Sequence, residues 1–424
     1  MKHGLLLLGL ACASAIAGEI DRHRLVIGAD LALVAAGSEL PSWLHHGNGK
    51  LRFDGDHDGL RPSRLFADYR GRLTPNWFLH AVVNFNDTVS EKLDLTEAYL
   101  AWRPLPASAW RLRGRFGAFY PRLSLEHGEP AWSNRYALSA SAINTWIGEE
   151  LRTLGLELTL SRRLQRHPQH QLSIEGAMFF GNDPLGGLLA WRGWSAHDRQ
   201  TGLFGKVPMP TVSVIEPWRE DGQPPARFPP FEEVDHRPGF YAGASWQWEE
   251  RLRLKYFFYD NHADPEAETA NGLYAWETWF NHLGLQLALP AGFGLLAQWL
   301  DGKTRMGEDL GPWRVQDLLF DASYLALTRR FGEHRLTARY EWFDLQPYND
   351  PPGITNQDKG NVLAVAWLYR FRPTLRIGAE YLRIESRHCR QAACAWVFHG
   401  LPRDTTEDRV QLTLSWEFTA GRRR

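Results

Sequence analysis

The connections between elements constrain this chain more than any single motif. From Arg24 onward the sequence reads as one period-two segment after another. Such alternation marks a strand with two unlike faces. The segments are 24–36, 63–73, 76–87, 92–103, 109–119, 151–161, 170–180, 239–249, 251–260, 275–289, 292–301, 316–329, 334–345, 361–370, 374–386 and 408–418. That makes sixteen, with fourteen and eighteen as neighbouring counts, because the phase is ambiguous around Glu97 and in 316–329. Links after even segments are short: 74–75, 104–108, 162–169, 250, 290–291, 330–333 and 371–373. Links after odd segments are long: 37–62, 120–150, 181–238, 261–274, 302–315, 346–360 and 387–407. Only 88–91 breaks the rule. A soluble β-sandwich has no reason to sort its loops this way. A transmembrane antiparallel β-barrel does, with short turns on one side and long loops on the other. An even count places both termini on the short-turn side.

The last segment supports this reading. Val410, Leu412, Leu414, Trp416 and Phe418 alternate with Gln411, Thr413, Ser415 and Glu417. Aromatics at a strand end suit the interfacial girdle of a membrane barrel. Bacterial outer-membrane proteins usually end on such a strand; here TAGRRR follows Phe418. In 110–119, Trp110, Leu112, Phe116 and Ala118 alternate with Arg111, Arg113 and Arg115. Three arginines on one lipid face would each cost ~2–4 kcal/mol at midplane, so they are expected to face a wet lumen. Arg70, Arg72, Arg251, Arg253 and Lys255 are further lining candidates. They would attract anions by focusing the field along a low-dielectric wall. The same phase holds Asp68, Glu157, Glu175, Glu341, Glu380 and Glu417, so a charge-balanced interior is the competing expectation.

The chain starts MKHG, followed by LLLLGLACASAIAG. A short basic start, about a dozen apolar residues and small residues at Ala15 and Ala17 predict a signal peptide over 1–18. The remainder, 19–424, then forms one barrel. Cys389 and Cys394 remain, and two cysteines in an oxidising compartment are expected to pair. Their spacing is zinc-like but lacks a second pair, so no metal is expected. Mean hydropathy is -0.39 and no later run approaches twenty apolar residues, which argues against a helical span. Net charge is -1, which gives no basic surface for nucleic acid. The run Asp54-Gly55-Asp56-His57-Asp58-Gly59 resembles the start of a calcium loop, but Leu65 stands where its glutamate belongs, so a solvated loop is expected. His45-His46 has no further ligand spacing. No G-x-S-x-G, H-E-x-x-H or phosphate loop occurs. Ser124, Glu126, His127 and Glu129 share one loop, but nearness in sequence is not triad geometry.

KLDLTEAYLAWRP at 92–104, RLRGRFGAFYPRLSLE at 111–126 and AWSNRYALSASAINTWIGEELRTLG at 131–155 together resemble the porin superfamily, in particular the group around the phosphate-selective porins O and P. The resemblance implies a sixteen-stranded homotrimeric channel in the bacterial outer membrane, bathed in its lipid. It also implies that the third external loop, here 120–150, folds inward and narrows the pore. That loop carries Arg122 and Arg135 beside Glu126, Glu129, Glu149 and Glu150, with no lysine-rich ring, so phosphate selectivity does not transfer. The small run Ser139–Ala142 predicts a short helix packed closely on a wall. The expected function is passive diffusion of small hydrophilic solutes or anions, with no enzyme chemistry and no cofactor. The alternatives are a narrow substrate-specific channel, a barrel plugged by a long loop such as 181–238, or a lipase-like barrel enzyme.

Overall fold

The computed structural model describes residues 23–85, 92–106, 108–164, 167–210, 227–270, 272–312, 314–349, 357–389 and 400–421. The expected signal peptide, the whole of link 88–91 and Cys394 lie outside them. Sixteen strands form one closed barrel in which each pairs with the next and the last with the first. They are β1 (His23–Gly37), β2 (Gly59–Arg72), β3 (Trp77–Phe85), β4 (Leu93–Trp102), β5 (Trp110–Phe119), β6 (Thr153–Arg163), β7 (His170–Phe180) and β8 (Gly239–Trp248). The second half is β9 (Leu252–Asp260), β10 (Glu277–Ala288), β11 (Phe293–Asp309), β12 (Arg314–Phe331), β13 (His334–Pro347), β14 (Asp358–Arg372), β15 (Leu375–His388) and β16 (Asp404–Ala420). All pairings are antiparallel, and β1 meets β16 from Leu25↔Ala420 to Gly37↔Asp408. Closure leaves no free strand edge in lipid, where an unpaired backbone group is costly.

The burial pattern inverts that of a soluble sheet. Val410 is 51% exposed and its neighbour Gln411 3%. Outward positions on β16 are apolar, and the buried positions Gln411, Thr413 and Ser415 are polar. That is the arrangement for a lipid exterior and a polar interior. No helix among the described residues is long and apolar enough to cross a membrane.

The two ambiguous phases have local causes. Between β3 and β4 the register moves from Val82↔Glu97 to Val83↔Leu95, so Thr96 is an inserted residue and the alternation slips there. On β12 the outward phase carries Asp317 and Asp321 before it turns apolar at Leu325 and Leu327. Strands β11 and β12 are also taller than their alternation predicts, running on to Asp309 and starting at Arg314. Their long-loop ends form a ribbon that continues past the apolar band.

Candidate solute passage

The segment 120–150 leaves β5 and enters the barrel. Tyr120 N–H donates to Glu97 Oε1 on β4 (3.1 Å) and Ala131 N–H to Asp68 Oδ2 on β2 (2.9 Å). Across the interior, Leu138 and Ser139 N–H donate to Glu380 Oε2 on β15 (2.8 and 3.0 Å), and Ala142 N–H to Glu341 Oε2 on β13 (2.6 Å). Arg339 donates to the carbonyls of Ser139 (3.0 Å) and Ala140 (2.8 Å). Asn144 Nδ2 donates to Gln298 Oε1 on β11 (2.9 Å). A segment held by five strands around the wall lies across the lumen. Its backbone must be satisfied there without water, and inward carboxylates and amides do this. The small side chains of 139–142 allow that approach. Helix α1 (Ala142–Glu150) follows, with Ser141 Oγ as its N-cap acceptor for Asn144 N–H.

Two further segments pack on α1 from the long-loop side. One is 182–201, with helix α2 (Gly187–Arg192); the other is 43–54. Burial alone would raise Glu149, but Arg192, which grips both its oxygens, and His197 at 3.0 Å hold it well below the usual carboxylate range. Burial pushes Glu150 up to about 8, although Gly186 and Leu188 N–H and the Trp146 indole donate to it. Lys50 Nζ joins Asp358 (2.5 Å) to the Trp194 carbonyl (2.8 Å), and Arg52 meets Asp198 at 2.9 Å. Between these ties, Trp146, Trp194, Leu185, Leu188 and Leu189 bury themselves among inward wall residues Phe257, Tyr259, Phe280, Leu300, Phe320 and Phe343. The interior beside β8–β13 is therefore a packed apolar core.

Space remains on the other half. A crevice of about 30 Å³ lies between 127–140 and the inward faces of β1, β2, β15 and β16. Asp30, Arg64, Arg376, Gln411, Thr413 and Ser415 line its wall side, and His127, Asn134 and Asp198 its loop side. Arg64 bonds the Ala131 carbonyl and Ser133 Oγ (2.6 Å), which fixes the loop against the wall. Toward the short turns, an open cavity of about 880 Å³ is lined by Arg24, Arg70, Glu129, Glu333, Arg370, Arg372 and Glu417.

The cations singled out in the sequence fall into two groups. Arg115 is 4% exposed and gives Glu157 a bidentate pair (Nε–Oε1 2.8 Å), to which Tyr241 OH also donates (2.6 Å). Lys255 is buried on Glu175 (2.5 Å) and the Arg122 carbonyl. Arg122 itself is 3.9 Å from Glu157. Arg111, Arg113 and Arg72 are exposed near the short-turn end, Arg253 lies partly buried there, and Arg251 sits in a turn beside Glu249 (3.5 Å). Arg70 meets Asp68 at 3.1 Å. In the inward segment, Glu126 is buried on Arg339 (3.3 Å) and Ser141 N–H (3.0 Å), while Glu129 and Arg135 pair at 3.0 Å over the cavity.

Ser124 and His127 do meet, at 2.9 Å, but Ser124 Oγ also accepts the N–H groups of Glu126 and His127, the pattern of a serine turn. Asp54 accepts from Ser42 N–H (2.6 Å) and bonds His57 (2.7 Å), so it braces its own loop. His45 stacks on His57. Cys389 is disulfide-bonded. Arg192, Lys50, Asp358 and the 182–201 core were not legible as a site. A signal for the core exists in Lys255–Asp260: KYFFYD is apolar on both phases, and a strand buried on both faces reads that way.

No protein-family model matches the sequence, and no curated relative matches it. Solved structures do resemble it. The loop L8 deletion mutant of OmpT, an outer membrane protein of Vibrio cholerae, superposes with a TM-score of 0.52 at 9% identity, covering 94% of this chain and 100% of that one. The anion-selective porin from Comamonas acidovorans gives 0.51 at 10% identity, over 93% and 99%. The outer membrane channel DcaP of Acinetobacter baumannii gives 0.50 at 14%, over 93% and 96%. At these identities the likeness is one of fold, and the fold of this chain is that of a bacterial outer-membrane β-barrel of the porin type.

Proposed function

We propose that the chain is an outer-membrane channel for small hydrophilic solutes, with anions preferred, working as a homotrimer. The observation that carries this reading is the polar crevice between 127–140 and the β1–β2–β15–β16 wall, beside a core that fills the other half of the lumen. A solute must take the polar side, because the apolar side holds no room and no hydration partners. The crevice is small, which favours a selective channel over a general one. Arg64 and Arg376 set its cationic side, and Asp30 and Asp198 its anionic side. Arg111, Arg113 and Arg253 belong to the approach, while Arg115 and Lys255 act as wall ties. Selectivity then comes from pore radius and lining charge.

Planar-bilayer recording tests this. The expected result is small ohmic steps in groups of three, with a reversal potential displaced toward the anion in a salt gradient. Removing about eight residues within 131–138 should raise the single-channel conductance. A deletion variant that folds and conducts as the parent does would place the passage elsewhere.

A further inference from the structure

The short-turn mouth holds more positive charge than its acids can neutralise. Arg330 and Arg335 are direct register partners on β12 and β13, and like charges placed opposite each other on a sheet repel. Arg370, whose N–H bonds the Glu333 carbonyl (3.1 Å), comes next on β14, followed by Arg376 on β15. Arg372 closes the row at the end of β14. Among the described residues none of these five guanidiniums has an ion-pair partner. The acids beside them are few. Glu129 is taken by Arg135, which leaves Glu333 and Glu417 against five cations. Their weak ties are to neutral oxygens: Arg330 to the Gly332 carbonyl at 3.4 Å, Arg335 to Thr328 Oγ1 at 3.3 Å and Arg376 to Ser415 Oγ at 3.5 Å. An excess of guanidinium donors around a cavity suits a ligand carrying several planar or tetrahedral oxyanions.

We propose that this mouth binds multivalent anions, of the polyphosphate or tricarboxylate class, and that they occlude the channel from that side. This rests on the channel reading given above. Arg370 and Arg372 line the open cavity of about 880 Å³. Arg330, Arg335, Arg370 and Arg376 line an adjoining one of about 350 Å³ that shares Arg370, Glu129 and Glu333 with it. This space has room for such an ion with part of its hydration shell, whereas the crevice of about 30 Å³ does not. A monovalent anion is attracted weakly and moves on. A multivalent one is held by several arginines at once and cannot proceed.

Inorganic tripolyphosphate is a suitable probe. Titration calorimetry on the detergent-folded barrel needs no conduction. It should show binding that weakens at least tenfold in the double variant Arg370→Gln/Arg372→Gln and falls as salt rises. The conservative Arg370→Lys/Arg372→Lys pair should retain most of the binding, which separates lost charge from lost fold. In single channels, tripolyphosphate added to one side should block at a concentration at least tenfold below that needed on the other. Binding without any channel steps would overturn the channel reading and leave the site. Equal block from both sides, or binding indifferent to both variants, would overturn the site and leave the channel.

Discussion

At the scale of single residues, the interior separates charges that hold the wall from charges that meet water. Arg115 and Glu157 stand opposite each other on β5 and β6, both almost wholly buried, with Tyr241 completing the carboxylate's partners. Removing one member of such a pair leaves an uncompensated buried charge, which costs about 3–5 kcal/mol, while replacing both can be nearly neutral. Arg115→Gln is therefore expected to lower the unfolding midpoint strongly, with Arg115→Gln/Glu157→Gln recovering most of the loss. Urea unfolding in lipid vesicles, read by tryptophan fluorescence, measures both. Arg111→Gln, at an exposed position on the same strand, should leave that midpoint close to the parent's. A double variant no more stable than the single one would show that Arg115 acts through packing instead. Alternation told which arginines share a face; it could not tell which of them meet an acid, because that depends on the register of β6 against β5.

At the scale of elements, legibility divides between strands and loops. The strands were readable because one face had to meet lipid, and lipid imposes a strict period. The inward segments obey no such period. Their conformation is dictated by partners far away in sequence, such as Glu380 for Ser139 or Asp358 for Trp194. The long link 181–238 shows the same dependence. Asp183 Oδ2 accepts N–H bonds from Val234 (2.5 Å) and Asp235 (3.3 Å), tying the start of the link to its end. Burial, with Glu233 and Asp235 adding repulsion, pushes the Asp183 carboxyl up to about 7. A folded-state value above the unfolded one means that the folded state binds more protons. Its stabilising contribution is full below about pH 4 and is lost as pH rises toward 7. Hydrogen exchange of 227–235 should accordingly show more protection at pH 5 than at pH 8, after correction for intrinsic rates. Asp183→Asn should flatten that difference. A difference that persists in the variant would assign the pH response to another group.

At the scale of the whole molecule, the outer surface places the barrel in its membrane. Trp299, Ser323 and Trp342 are register partners on β11, β12 and β13, and the tryptophans are well exposed. Two residues further toward the long loops, Asp301, Asp321 and Asp344 form the next outward row. Aromatics at a level and carboxylates just beyond it mark the upper edge of the apolar band. Below them, Leu325 and Leu327 on β12, Tyr340 on β13 and Leu363 and Val365 on β14 face lipid. The cost of a charge should therefore change steeply along one strand. Leu325→Arg places a charge inside the band, one outward row below its upper edge. It is expected to destabilise by about 1–3 kcal/mol, between the roughly 0–1 kcal/mol of the interface and the ~2–4 kcal/mol of the midplane. Asp321→Arg, only four residues away on the same face, should cost little, since that position is already polar. Both can be read by reversible unfolding in vesicles of one lipid thickness. The comparison also reports on assembly: in a trimer whose interface covered β11–β13, Leu325→Arg would reduce the trimer band as well as the stability. In a barrel whose β11–β13 face meets only lipid, it would lower stability alone.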